Sequence, residues 1–281
     1  MFNMSKKIIT IIIAFIFTMI SMVMAFQWED ESGNVHHKGK HKFDKPVIEK
    51  DSKVGPWKDS PNMGSVDPKN YVLFMDDFTT QTVSLTANAN TWLASKTGTI
   101  EDSGPGGQLK LMTGYSDETI NMQVNGESFQ IQKNKPIYFE TRFSTSVATS
   151  SPDWFVGLMS TDTQYFDSAT TIVGFMGGES STQSIFGIVK SGGVEYSIDT
   201  GKDLVSATQT RLGFIIDNTV STDITMYVDD SSVAQPCTGS ICTQFLSSSL
   251  PLYVSPAIAI QSKKQCTGYL DVDYIKVIQE R

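Results

Sequence analysis

From Tyr71 to Arg281 apolar and polar side chains alternate with a period of two, and this alternation constrains the fold more than any other feature of the chain. The clearest run is Ile137-Tyr138-Phe139-Glu140-Thr141-Arg142-Phe143. Successive side chains of a strand point to opposite faces, so Ile137, Phe139, Thr141 and Phe143 share one face and Tyr138, Glu140 and Arg142 the other. The same pattern turns Leu109 and Leu111 inward, then Leu212, Phe214 and Ile216, then Ile224, Met226 and Val228. Asp217-Asn218-Thr219 and Asp229-Asp230-Ser231-Ser232 carry the residues that favour turns. The last stretch, Tyr269 to Ile278, is apolar on both faces in its second half, as suits a strand inside a sheet. No segment after Tyr71 sustains an i, i+3, i+4, i+7 repeat, so helices are expected to be minor or absent. Short strands between frequent turn signals predict an all-β fold, an antiparallel two-sheet β-sandwich over 71–281. With 40% hydrophobic and 19% charged residues the chain has enough apolar surface for one large core.

Two segments precede that domain. Lys6 and Lys7 lead into an apolar run from Ile8 to Ala25 that ends Val23-Met24-Ala25, the layout of a secretory signal peptide. Export is expected, and a membrane is met only if this segment stays uncleaved. Residues 26–70 carry Pro46, Gly55, Pro56, Pro61 and Pro68 with charges that cancel, and read as a flexible polar linker. His36-His37-Lys38-Gly39-Lys40-His41 within it reads as a basic patch, while Trp28 and Trp57 are able to dock the linker onto the domain.

Charge and cysteine usage exclude several functions. Setting aside Lys6, Lys7 and the balanced charges of 26–70 leaves 12 basic against 22 acidic residues in 71–281, a net of −10 that repels a phosphate backbone. Nucleic acid is therefore not an expected partner. Cys237, Cys242 and Cys266 allow one disulfide in an oxidising compartment, with Cys237 to Cys242 the local pairing and Cys266 the rival partner. Zinc is disfavoured, because no histidine follows His41 to complete a four-ligand set. The same lack of histidine removes Ser-His-Asp and Cys-His catalysis from the domain. Gly104, Gly106 and Gly107 precede a strand instead of a helix, which makes them a turn and not a phosphate loop.

Several segments together resemble a known family. Phe74-Met75-Asp76-Asp77-Phe78, Gly106-Gly107-Gln108-Leu109-Lys110-Leu111, Ile137 to Phe143, Phe155-Val156-Gly157-Leu158 and the ending Val272 to Arg281 are similar to concanavalin-type, laminin-G-like jelly rolls. Asp199-Thr200-Gly201-Lys202-Asp203-Leu204 with Arg211-Leu212-Gly213-Phe214 and the terminal Gln-Glu-Arg further resemble uncharacterised virion-surface modules of tailed bacteriophages. The resemblance covers nearly all of 71–281 and implies a jelly-roll sandwich; for function it implies a lectin, a glycosidase or a capsid part. A secretory leader is foreign to capsid parts assembled in the cytoplasm, so the leader and the virion likeness point to different compartments.

Retaining β-glucanases share this fold and place their two carboxylates, about 5–5.5 Å apart, on a Glu-x-Asp-x-Glu type of strand. This chain has no such strand. Asp271 and Asp273 are i, i+2 neighbours, and Glu140 lies beside Arg142, which favours an ionised, structural carboxylate over a general acid. A non-catalytic surface module is therefore expected, recognising glycan or packing against a capsid or cell surface. The resemblance implies a structural Ca2+ held by oxygen ligands where the first and last strands pair, for which Asp76, Asp77 and Asp273 are candidates. Sugar stacking on the concave face has Trp92, Tyr115, Trp154 and Tyr165 as candidates, although Trp154 adjoins the apolar Phe155–Leu158 run and suits the core.

Overall fold

The computed structural model describes residues 27–29, 35–37, 70–78, 92–96, 98–102, 107–114, 118–126, 128–146, 152–160, 169–178, 183–191, 194–217, 223–237, 252–262 and 268–281. The chain divides into two compact units, residues 1–48 and 49–281. In the first, β1 (Gln27–Glu29) and β2 (Val35–His37) form a small antiparallel hairpin that sets Trp28 opposite His36. The leader Met1–Ala25, His41 and Trp57 lie outside the described residues.

The second unit is the expected antiparallel sandwich, with no helix among the described residues. Its strands are β3 (Tyr71–Asp76), β4 (Trp92–Lys96), β5 (Thr99–Asp102), β6 (Leu109–Thr113), β7 (Thr119–Val124), β8 (Phe129–Ile131), β9 (Ile137–Thr145), β10 (Asp153–Met159), β11 (Thr171–Gly177), β12 (Ser184–Ser191), β13 (Val194–Asp203), β14 (Thr210–Asp217), β15 (Asp223–Val228), β16 (Ser231–Cys237), β17 (Leu252–Gln261) and β18 (Gly268–Glu280). One sheet, here the front sheet, runs β13-β12-β11-β10-β17-β7-β4 with β8 also against β17. The back sheet runs β16-β15-β14-β9-β18-β6-β5 with β3 also against β18.

Alternation in the sequence becomes alternation in burial. On β9, Ile137, Phe139, Thr141 and Phe143 are closed to solvent while Arg142 is exposed. Aromatic rings knit the layers together: Phe143 of the back sheet meets Trp154 of the front sheet at 4.9 Å, and Phe175 meets Phe214 at 6.3 Å. Phe139 and Phe214 stack at 4.7 Å within the back sheet. At the hairpin between β15 and β16, Asp229 and Asp230 both take positive φ (45° and 65°). A two-residue turn that matches strand twist needs this at both positions, and Asp accepts it more readily than most residues. Asp229 steadies the turn by accepting a hydrogen bond from the Arg211 amide through Oδ1 (2.9 Å) while its own amide donates to the Arg211 carbonyl (2.9 Å).

The final strand departs from strict alternation. Leu270 and Val272 face the core, as do Ile275 and Val277, so the inward set changes from even to odd positions. The switch is a β-bulge between Val272, opposite Phe143, and Tyr274, opposite Arg142, with Asp273 as the extra residue. Thr141 reaches across to donate to the Tyr274 carbonyl (2.7 Å), giving a partner to a carbonyl beside the interrupted ladder. The apolar character of both faces of this strand is thus the mark of a bulge as well as of an interior strand, and its physical effect is to re-aim side chains.

Candidate functional site

The two outward faces of the sandwich differ sharply. On the front sheet, Phe155, Gly157 and Met159 of β10, Ile172 and Gly174 of β11, Ile188 of β12 and Ala257 and Ala259 of β17 point away from the main core by strand parity. Even so, Phe155, Met159, Ile172, Ile188, Ala257 and Ala259 are buried and make a second apolar cluster. The Phe155 ring lies over the glycines: a Cβ at Gly174 would stand 2.8 Å from it and 2.5 Å from the Val156 carbonyl. Gln123 on the same face spends its amide on the Met159 and Ser160 carbonyls (2.9 and 3.2 Å). Among the described residues of this face, carboxylates occur at Asp153 on β10 and at Glu195, Asp199 and Asp203 on the edge strand β13, where Asp203 accepts the Ser184 hydroxyl (2.9 Å) and Asp199 the Gly201 amide (2.8 Å). Asp153 is three strands from β13, about 14 Å, and Glu195 is four residues from Asp199, about 13 Å. Neither of these spacings suits a hydrolase pair, and Asp199 and Asp203, which oppose Phe186 and Ser184 across a bulge, are held by local hydrogen bonds at the exposed sheet edge.

The back sheet turns a polar, aromatic face outward. Tyr274 of β18, Arg142 of β9 and Arg211 of β14 lie in one row across the strands. Met75, Lys276, Glu140, Gly213 and Tyr227 form the next. On the other side of the bulge, Asp271 faces Lys110, which in turn faces Glu101. Glu140 is 8% exposed, unusual for a carboxylate on an outward face, and accepts the hydroxyl of Tyr274. Burial first, then the charge of Glu140 and the hydrogen bond to it, hold the Tyr274 phenol well above its ordinary pKa, against a weaker opposing pull from Arg211 and Arg142. It is a neutral donor at any physiological pH.

Arg142 forms an ion pair with Asp273, and Arg211 with Asp230. The Arg142 guanidinium also lies 5.7 Å from the centre of the Tyr274 ring, and the Lys110 ammonium 4.7 Å from that of Tyr269, a cation–π geometry that fixes ring orientation. Both tyrosines remain partly accessible. The surface thus combines ordered aromatic rings with carboxylate acceptors and guanidinium donors, the groups that hold hydroxyl-rich ligands. The bulge creates it: in an unbroken strand Tyr269 and Tyr274, five positions apart, would face opposite sides.

The sequence-derived candidates fare unevenly. The first and last strands do pair, with Asp76 opposite Ile275, yet Asp76, Asp77 and Asp273 do not converge. Asp76 turns inward, accepting from Trp92 Nε1 (2.7 Å) and from the Phe78 amide (2.8 Å), while Asp273 turns outward to Arg142. Asp77 is exposed and has a partner of its own. Among the described residues no three His, Cys, Asp or Glu side chains gather as a metal site. Trp92 is not a sugar platform: it is 3% exposed, packs on Phe74 and Phe78 at 6.0 and 5.9 Å, and gives its indole N–H to Asp76. Trp154 is likewise buried against Phe143 and cannot stack on a ligand. Tyr115, Tyr165, Cys242 and Cys266 lie outside the described residues, and only the backbone of Cys237 is described, opposite Ile224. Glu140 and Arg142 are neighbours on one face, but Arg142 takes Asp273 and Glu140 takes Tyr274.

Sequence reasoning missed Tyr269, Tyr274, Arg211 and Asp230. The parity switch from Leu270 and Val272 to Ile275 and Val277 is the signal that places the two tyrosines on one face. The partnerships of Arg211 and Asp230 depend on the strained turn at 229–230 and leave no comparable trace.

No protein-family profile matches the chain, and no curated protein is similar to it in sequence. Solved structures do match. The Emp47p carbohydrate recognition domain superposes with a TM-score of 0.52 at 11% identity, over 75% of this chain and 98% of that one. A GH16 enzyme from a Bacteroides ovatus mixed-linkage glucan locus, solved with a product, gives 0.51 at 9% identity, over 73% and 99%. The endo-1,3-beta-glucanase of Streptomyces sioyaensis gives 0.50 at 12% identity, over 76% and 98%. At these identities the likeness establishes the concanavalin-like jelly-roll fold.

Proposed function

We propose that this chain is an exported, non-catalytic glycan-binding module that uses the outward face of its back sheet. The observation that carries the reading is the bulge at Asp273, which gathers Tyr269, Tyr274, Asp273, Arg142 and the buried Glu140 on one face. The structural neighbours named above include both a carbohydrate recognition domain and glucanases, so a carbohydrate ligand is in keeping with the fold. Against hydrolysis stand the distance of Asp153 from the β13 carboxylates, the local hydrogen bonds that Asp199 and Asp203 accept, and the engagement of Glu140 and Asp273 by Tyr274 and Arg142. The test is calorimetric titration of the mature chain with laminarihexaose and cellohexaose, followed by a reducing-sugar assay of the same mixtures. Binding without release of reducing ends is expected; turnover of either sugar would make the chain a glucanase, and no binding to any glycan would remove the reading.

Attachment to a particle surface is a second reading. It draws on β13, where Val194, Glu195, Ser197, Ile198, Asp199, Gly201, Lys202 and Asp203 are all exposed along a sheet edge, a surface suited to lying against a shell. Recovery of the chain with Met1 retained in purified particles supports it. A mature N-terminus at Phe26 in the exported fraction supports signal cleavage and the first reading.

A further inference from the structure

We infer that the ligand is an uncharged, linear oligosaccharide of about three or more sugars lying along β18. The inference rests on the glycan-binding reading and narrows it in length and charge. Length follows from the two tyrosines. Tyr269 and Tyr274 share the outward face, and the five positions between them, less the slack of the bulge, span about 15 Å, the run of about three pyranose rings. Asp271 and Asp273 sit between the rings on the same side of the strand. A single terminal sugar would meet one ring and leave the other unused.

Charge follows from how the cations are spent. Arg142 is met by Asp273 and Arg211 by Asp230, Lys110 lies over Tyr269 and stands in register between Asp271 and Glu101, and Lys276 stands opposite Glu140 with a partner of its own. A uronate, sulfate or phosphate would have to displace one of these carboxylates inside a domain whose net charge is −10. Hydroxyl groups need no such exchange, since paired carboxylates and guanidiniums retain unused acceptor and donor positions.

The experiment titrates the full mature chain with laminari- and cello-oligosaccharides from disaccharide to hexasaccharide, and with hexagalacturonate as the acidic probe, at about 50 and about 500 mM salt. Affinity for the neutral series should rise up to the tri- or tetrasaccharide and then level off. Tyr269→Ala should weaken the hexasaccharide about tenfold and leave the disaccharide within about twofold, whereas Tyr274→Ala should weaken both. Neutral affinity should be insensitive to salt. An affinity already level at the disaccharide overturns the length claim, and tighter, salt-sensitive binding of hexagalacturonate overturns the charge claim. Full hexasaccharide affinity in both folded tyrosine variants puts the site elsewhere while leaving glycan binding intact; no binding to any probe removes both proposals.

Discussion

The two outward faces of this sandwich are built from the same period-two strands, yet one has become core and the other has stayed a surface. At the centre of the front sheet the outward residues include Phe155, Gly157, Met159, Ile172, Gly174, Ala257 and Ala259, small or apolar and mostly sealed from water, while polar residues such as Asp153, Gln123, Glu195 and Asp199 stand around them. On the back sheet they include Tyr138, Glu140, Arg142, Arg211, Tyr269, Tyr274 and Lys276, amphipathic groups of which Glu140 is paired with Tyr274, Arg142 with Asp273 and Arg211 with Asp230. Fold likeness alone does not choose between these faces, because one scaffold hosts many sites. What chooses is the cost of burying or exposing particular groups. A face of Phe, Ile and Ala gains stability by being covered, whereas one of paired charges and phenols stays ordered while open to a polar ligand.

The largest test of this contrast is Phe155→Ala. If the front face is a second core, the substitution destabilises by about 3–5 kcal/mol in urea unfolding, as a core aromatic does; an open trough would lose a small fraction of that. Next comes Asp76→Ala, which deprives Trp92 Nε1 and the Phe78 amide of their acceptor, and hydrogen bonds to a charged group are worth about 1.5–3 kcal/mol each. A loss of about 3 kcal/mol is expected, unchanged by calcium; restoration by added Ca2+ would mean that Asp76 is a ligand after all.

Tyr274→Phe sharpens the back-face side. It removes the hydroxyl donated to Glu140 and should cost about 1 kcal/mol near neutral pH. Its sign in pH is also fixed. The folded state holds the phenol protonated above the ordinary tyrosine value, so this group's contribution is full below about pH 10 and falls as pH rises past it, where the unfolded chain has already released its proton. Unfolding measured from pH 8 upward should show a steeper alkaline loss in the parent chain than in the variant; parallel curves would mean that Tyr274 is not held in this way. The smallest effect belongs to Tyr269→Ala, a partly exposed position where stability should change by less than about 0.5 kcal/mol while long-glycan affinity drops.

Much of the architecture was legible in the alternation itself. Ile137 to Phe143, Leu212 to Ile216 and Ile224 to Val228 bury the residues that their parity assigns. The turn at Asp229-Asp230 also stands where its residues point. The site was less legible, for reasons that are local in one case and distant in another. The bulge left its mark in β18, but an inward set that changes parity looks the same, in a single strand, as a strand covered on both sides. Trp92 stands among polar residues in sequence and reads as a loop aromatic, yet Asp76, sixteen residues earlier, supplies the acceptor that lets its indole N–H be buried. A hydrogen bond across the sheets has no periodicity to betray it. The same holds for Arg142, whose partner is the distant Asp273 and not the adjacent Glu140.

The most direct test of the central claim is amide chemical-shift mapping of the mature chain titrated with laminarihexaose. Binding on the back face predicts that the largest shifts fall on Tyr269 to Lys276, with Glu140 to Ser144 and Thr210 to Gly213 beside them. Shifts concentrated on Phe155 to Met159, Ile172 to Met176 and Ser255 to Ala259 would contradict it, and would make the front face the ligand site in spite of its burial.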